Sequence, residues 1–233
     1  MIVVITGASK GIGKAVAEKF AAGGHTLVLC ARNAEQLQAT AGEITAAYPH
    51  IIVKTKAVDI SIKHEVIAFG NWVLQTTGVP GVLVNNAGSF LPGNIHTEDD
   101  GVVEKMIETN LYSAYHLARI LLPAMMQAKK GHIFNMCSIA SLQAYPNGGS
   151  YSISKFALAG FSKNLREELK PYNIKVTAVY PGAVYTDSWA GSGISPERIM
   201  QVVDVAELIY TVSKLSPQAC VEDIVLRPQL GDL

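Results

Sequence analysis

The sequence predicts an α/β fold, a doubly wound sheet of about seven parallel strands flanked by helices in one domain over residues 1–233. Three observations predict it. Short β-branched runs alternate with longer segments of helical period. Runs such as Val3-Val4-Ile5 and Val82-Leu83-Val84 are apolar at every position, as in strands buried on both faces. A glycine-rich turn joins the first run to the first helical segment.

Taken in order, the apolar runs place strands at residues 2–6, 26–30, 51–56, 82–85, 132–137, 175–179 and 224–226. The 3.6-residue period places helices at 12–22, 34–48, 62–77, 99–126, 151–170 and 204–215. The 99–126 helix holds two anomalies. Pro123 is expected to kink or end it. Asn110 sits mid-helix, where its propensity is poor. Either it is a simple surface or core Asn, or the helix opens there to hold a water or a catalytic group.

Composition bounds the function. Of 233 residues, 49% are hydrophobic and 16% charged, enough apolar surface for a large core. Formal net charge is zero and like charges do not cluster in runs, so neither nucleic acid nor a membrane surface is an expected partner. No apolar run is long enough for a membrane span, and the first residues lack the pattern of a secretion signal. Cys30, Cys137 and Cys220 form no CxxC and lie in or beside apolar stretches, which reads as reduced thiols in a cytoplasmic protein. The six histidines show no metal spacing, so no metal is expected.

Thr6-Gly7-Ala8-Ser9-Lys10-Gly11-Ile12-Gly13 follows the first strand and opens the first helix. Its glycines permit a tight turn and close approach to a pyrophosphate, which the N–H groups and positive dipole end of the helix then receive. The second strand ends Cys30-Ala31-Arg32. An acid there accepts from the ribose 2′-hydroxyl of NAD; here none stands, and Arg32, helped by Lys10, suits a 2′-phosphate. NADP(H) is therefore the preferred cofactor, with NAD(H) second.

Tyr151 and Lys155 stand at i and i+4, which shares one helix face. An ammonium beside a phenol favours the tyrosinate and is expected to lower the phenol's pKa. Such a phenol exchanges a proton with a carbonyl or alcohol oxygen. Ser138, thirteen residues before Tyr151, falls at the carboxyl end of a strand. It reads as a substrate hydrogen-bonder or as a turn cap, and Ser141 reads the same way.

With these residues in order, the chain resembles the classical short-chain dehydrogenase/reductase family along nearly its whole length. The pattern comprises residues 6–13, Asp59, Asn85-Asn86-Ala87-Gly88, Asn110, Ser138, Tyr151 with Lys155, and Pro181-Gly182-Ala183-Val184-Tyr185-Thr186. The resemblance implies a Rossmann-like fold and hydride transfer between NADP(H) and a small-molecule carbonyl or alcohol. It implies Tyr151 as general acid/base, Lys155 as its partner and ribose contact, Ser138 steadying the substrate oxygen, and Asn110 holding a relay water. Gly7, Ser9, Lys10, Gly11, Ile12, Gly13 and Arg32 would hold phosphates, and Asp59 and Ile60 the adenine. Asn86, Ala87, Gly88, Pro181 and Gly182 would line the cofactor cleft, and Val184 and Thr186 would contact the nicotinamide carboxamide.

There are two departures from the family pattern, the first a matter of local packing and the second bearing on substrate. Cys137 precedes the serine where the family usually has a smaller residue, and residues 221–228 lack a VDGG-type ending. The latter weakens a 3-oxoacyl-carrier-protein reductase reading and leaves a sepiapterin-reductase-like one beside it. A different class, an NADP(H)-sensing regulator without catalysis, is expected to lose part of the set Asn110, Ser138, Tyr151 and Lys155, all present here. Residues 187–201 read as a substrate lid or a loose surface loop. Phe90, Leu91, Pro92, Gln143, Ala144 and Tyr145 are candidate pocket residues. A homodimer or homotetramer is expected, and Leu117, Ile120, Leu121, Phe156, Leu158 and Phe161 are either its surface or core.

Overall fold

Alternation along each strand decides which face of the sheet a side chain enters. Val3, Ile5, Leu27 and Leu29 enter one apolar cluster, while Val4, Val28 and Cys30 between them enter another on the opposite face. All seven of these side chains are fully buried. The computed structural model describes residues 1–186, 189 and 193–232.

The strands are β1 (Ile2–Thr6), β2 (Thr26–Ala31), β3 (Val53–Ala57), β4 (Val82–Asn85), β5 (Gly131–Met136), β6 (Ile174–Pro181) and β7 (Asp223–Leu226). They form one parallel sheet in the order β3-β2-β1-β4-β5-β6-β7. The helices are α1 (Gly11–Ala22), α2 (Ala34–Ala47), α3 (Lys63–Thr76), α4 (Val102–Ile107), α5 (Ser113–Ala128), α6 (Gly149–Leu169) and α7 (Val202–Ser213). Phe20 of α1, Leu37 of α2 and Ile209 of α7 cover one face; Phe69 of α3, Leu117 of α5 and Leu165 of α6 cover the other. Chain order reverses between β1 and β4, so a crevice opens at their carboxyl ends.

The expected fold is present, with three local corrections. The helix expected at 99–126 is interrupted: α4 begins at Val102 behind Gly101 at φ +90°, and a π-helical stretch over Glu108–Tyr112 separates it from α5. Pro123 neither ends nor splits α5, which runs on to Ala128. Pro123 and Arg119, whose carbonyl loses its partner, are both exposed, so water satisfies the carbonyl. Leu117, Leu121 and Leu158 are core, not contact surface, while Phe156 is exposed.

Among the described residues, no helix is long and apolar enough to cross a membrane, and no group of three His, Cys, Asp or Glu side chains is arranged to hold a metal.

Leu83 sits at the centre of the sheet with no exposure. Leu83→Ala should lower the unfolding free energy by about 2–5 kcal/mol, read from the shift in urea midpoint at constant slope.

Candidate active site

The turn between β1 and α1 is held against the end of β4. Thr6 Oγ1 accepts from the backbone N–H of Asn86 (3.1 Å) and of Ala87 (3.0 Å). Asn86 Nδ2 donates back to the carbonyls of Thr6 (2.9 Å) and Gly7 (3.1 Å). Two glycines are sterically required. Gly7 has φ +65°, and a Cβ there would lie 2.9 Å from Ala87 Cα. A Cβ on Gly13 would stand 2.2 Å from the Gly7 carbonyl oxygen. Lys10 begins α1 with no side-chain cap, and the first turn contains no acid. The opening N–H groups and the positive dipole end therefore have no carboxylate competing from the helix's own first turn. Ser9 turns elsewhere: its hydroxyl donates to Gln36 Oε1 at 3.4 Å.

Around this turn the sequence-predicted residues gather. Arg32 is exposed at the end of β2, directly before Asn33, which caps α2 by accepting from Gln36 N–H at 2.9 Å. Asp59 accepts from both the backbone and the hydroxyl of Ser61 (3.0 and 2.7 Å). Those bonds, with Arg32 nearby, hold its carboxyl below the usual range. Ile60 is half-buried beside it. From the other half of the sheet, Thr186 comes within van der Waals reach of Gly11. Val184 is buried and pairs with Met200, and Gly182 N–H donates to the Leu226 carbonyl at 2.8 Å.

The second corner is built by α6. Lys155 is buried, and its ammonium donates to the Met136 carbonyl at 2.8 Å. It lies 5.8 Å from the centre of the Tyr151 ring. Phe90 packs edge-on against Tyr151 at 4.8 Å between centroids. Ser138 caps a short 3-10 turn by accepting from Ala140 N–H at 3.1 Å, and it stands near enough to the Tyr151 phenol to oppose the rise in its pKa. The turn-cap role read from the sequence is present. Ser141 completes the turn by accepting from Ser138 N–H at 3.1 Å.

Asn110 lies in the π-helical stretch and is almost fully buried. Its Oδ1 accepts from Ser89 N–H at 2.8 Å, and Nδ2 donates to the Ser89 carbonyl (3.0 Å) and Ser154 Oγ (2.9 Å). The opened helix expected from its poor propensity is present, but the side chain binds protein. Gly88 borders the same corner; a Cβ there would be 2.8 Å from Asn110 Oδ1.

Electrostatics depart from one expectation. Burial raises the Tyr151 phenol to about 12, against a smaller opposing hydrogen bond from Ser138. Burial also pulls the Lys155 ammonium down to about 8. The expected lowering of the phenol by Lys155 is overridden because both groups lose water, and each is pushed toward its neutral form. Burial likewise raises Cys30 to about 12 and Cys137 to about 11, which leaves both as unreactive thiols. Cys220 is only half-buried.

Three contributors escaped sequence reasoning: the Thr6 hydroxyl, Ser154 as partner of Asn110, and the Met136 carbonyl as acceptor for Lys155. Ser154 lies three residues after Tyr151 on the same helix, a spacing that signals a shared side. Tyr145 is close enough to affect the Tyr151 phenol, and Gln143 accepts from Arg227 at 3.5 Å. Of the expected lid, Asp187, Ser188, Ala190, Gly191 and Ser192 lie outside the described residues.

Comparison with known proteins bears on the family and the fold. The family model described as short chain dehydrogenase matches residues 1–194. The chain is 34% identical over 190 residues to dehydrogenase/reductase SDR family member 7B of Bos taurus, covering 80% of this chain but 58% of that longer protein. It is 33% identical to sepiapterin reductase of Chlorobaculum tepidum over 100% of this chain and 98% of that one. The structure of an alcohol dehydrogenase from Thermococcus sibiricus complexed with 5-hydroxy-NADP superposes with TM-score 0.90 at 29% identity, covering 98% and 96% of the two chains.

A lysine whose folded pKa is about 8 and whose unfolded value is 10.5 binds fewer protons folded than unfolded between those limits. Stability therefore rises with pH across that window, where the folded state no longer carries the cost of a buried charge. The unfolding free energy of wild type relative to Lys155→Met should increase by about 3 kcal/mol from about pH 7 to 10.5, checked by urea melts of both proteins.

Proposed function

The chain belongs to the short chain dehydrogenase family, and from that premise we propose that it interconverts a small-molecule carbonyl and alcohol using NADP(H), with Tyr151 as proton donor and acceptor. The observation that carries this reading is the convergence of two corners on one crevice. An uncapped helix N-terminus with its glycine turn stands at the end of β1, and the Tyr151–Ser138–Lys155 group stands beyond β5.

The residues fit the dinucleotide. The closeness of Gly7 to Ala87 and of Gly13 to Gly7 leaves backbone, not side chains, facing the crevice. In this reading Gly7, Gly11, Ile12 and Gly13 hold the pyrophosphate, with Ser9 contributing through its backbone. Arg32 and Lys10 take the 2′-phosphate, and the absence of an acid at the end of β2 sets the preference for NADP(H). Asp59 and Ile60 border the adenine. Asn86, Ala87, Gly88, Pro181, Gly182, Val184 and Thr186 border the nicotinamide half. The cofactor supplies the hydride.

The chain's own residues handle the proton. At neutral pH the Tyr151 phenol keeps its proton, so the site is set to donate to a carbonyl oxygen and hence to reduce. Ser138 donates to the same substrate oxygen as negative charge grows on it. Lys155 holds the ribose and returns a proton to the tyrosinate. Asn110 positions the loop after β4 and α6 through its carboxamide, leaving the backbone of the π-helical stretch to carry a relay water. All four groups are present, which argues against the silent-regulator reading. The nearly full-length likeness to a sepiapterin reductase favours a pterin side-chain carbonyl as the second reading for substrate. Exposed Tyr112, Ile153 and Phe156 support a homodimer or homotetramer, and the buried free thiols support a reducing, cytoplasmic setting. We take residues 1–233 as a single domain.

NADPH oxidation should be measured against simple ketones, diketones, sepiapterin and acetoacetyl thioesters. Tyr151→Phe should lose at least about a hundredfold in kcat with unchanged NADPH binding. Arg32→Ala should weaken NADPH by about tenfold or more and leave NADH alone. Reduction should fall as pH rises through about 8, where Lys155 gives up its proton. Full turnover in Tyr151→Phe would remove the assignment.

A further inference from the structure

The loop that leaves β4 is fastened at both ends to the elements that carry the candidate active site. At its start, the Ser89 backbone is held by the Asn110 carboxamide. At its far end, Glu98 reaches the first turn of α6. One carboxylate oxygen accepts from the backbone N–H of Ser150 at 3.0 Å, and the other accepts from the Ser150 hydroxyl. Ser150 is buried and directly precedes Tyr151.

The surroundings are shaped to admit that carboxylate. A Cβ on Gly149 would lie 2.1 Å from Glu98 Oε1 and 2.5 Å from the Gly93 carbonyl, and one on Gly93 would lie 2.7 Å from Glu98 Cγ. Gly149 has φ +30°. Gly93 N–H donates to the Asn147 carbonyl at 3.0 Å, and Asn147 N–H donates to Asn94 Oδ1 at 3.3 Å. α6 has no side-chain cap from its own preceding residue Gly148. A carboxylate from 52 residues away caps it instead, and its charge suits the positive end of the helix. Between the two fastenings the loop carries Phe90, which rests against the Tyr151 ring.

We propose that Glu98 is a positioning residue for the reaction: by capping α6 it fixes both Tyr151 and the Phe90 wall of the substrate pocket in one geometry. This rests on the reading of Tyr151 as proton donor. Glu98 does not touch the reacting atoms. Its effect is one of position, because misplacement of a reacting group by about an ångström costs up to about a hundredfold in rate.

The test compares Glu98→Ala, Glu98→Gln and Tyr151→Phe in the full chain. Amide hydrogen exchange is followed over residues 148–155. NADPH affinity is followed by its fluorescence, and kcat and KM are taken with the panel ketone that wild type reduces fastest. In Glu98→Ala the first-turn amides should exchange about tenfold faster or more, since the bond to a charged acceptor is lost. Its kcat should fall about ten- to a hundredfold with NADPH affinity unchanged. Glu98→Gln keeps an acceptor for Ser150 N–H and should restore most of both, with the same pH profile. Wild-type exchange or wild-type kcat in Glu98→Ala overturns the inference, as does a Glu98→Gln variant as impaired as Glu98→Ala. Exchange decides even where no ketone is reduced. If Tyr151→Phe alone keeps full activity, the Tyr151 reading has failed instead.

Discussion

The corner containing Tyr151 and Lys155 depends on the carboxamide of Asn110. Its three hydrogen bonds join the loop after β4, the π-helical stretch and α6. The arrangement is closed, since Oδ1 accepts once and both Nδ2 hydrogens are used, so a buried amide is left with little unpaired capacity. The π-helical stretch brings Asn110 to this position, at the cost of regular helix geometry over Glu108–Tyr112. An Ala there would remove the partners of the partly buried Ser89 backbone groups, each lost hydrogen bond costing about 0.5–1.5 kcal/mol. Asn110 therefore couples helix geometry, loop position and the second half of the site.

Burial then sets the chemistry. In water a phenol and an ammonium titrate near 10.0 and 10.5. Here they are driven apart and inverted, to about 12 and about 8. Lys155 becomes the stronger acid of the two. In the proposed reaction, once Tyr151 gives its proton to a substrate oxygen, return of a proton from the lysine side runs downhill. The direction follows from desolvation acting oppositely on an acid that gains charge on ionising and one that loses it. The Met136 carbonyl makes the buried ammonium tolerable by accepting a hydrogen bond from it.

Much of this was legible in the sequence, for physical reasons that differ by region. β1 and β4 fall where expected, because each is an unbroken apolar run that stops at a polar residue, Thr6 and Asn85. Gly7 and Gly13 were legible because their roles are steric and local. The division of the 99–126 segment was hinted at by Asn110 alone, and Pro123 misled because its lost hydrogen bond faces water rather than core. The lowered phenol failed as an expectation because an i, i+4 spacing encodes a neighbour but not how much water surrounds it.

What a linear reading misses most is a partner distant in sequence. Thr6 and Asn86 are 80 residues apart, Asn110 and Ser154 are 44, and Glu98 and Ser150 are 52. None of these pairs has a periodicity, because the crossover helices that bring them together have lengths unrelated to the site. Yet each joins two neighbouring segments at the carboxyl edge of the sheet. In a parallel sheet those loops share one edge, so polar side chains on them meet there wherever they fall in the chain. The topology supplies the proximity, and the residue types Thr, Asn, Ser and Glu turn it into fixed geometry.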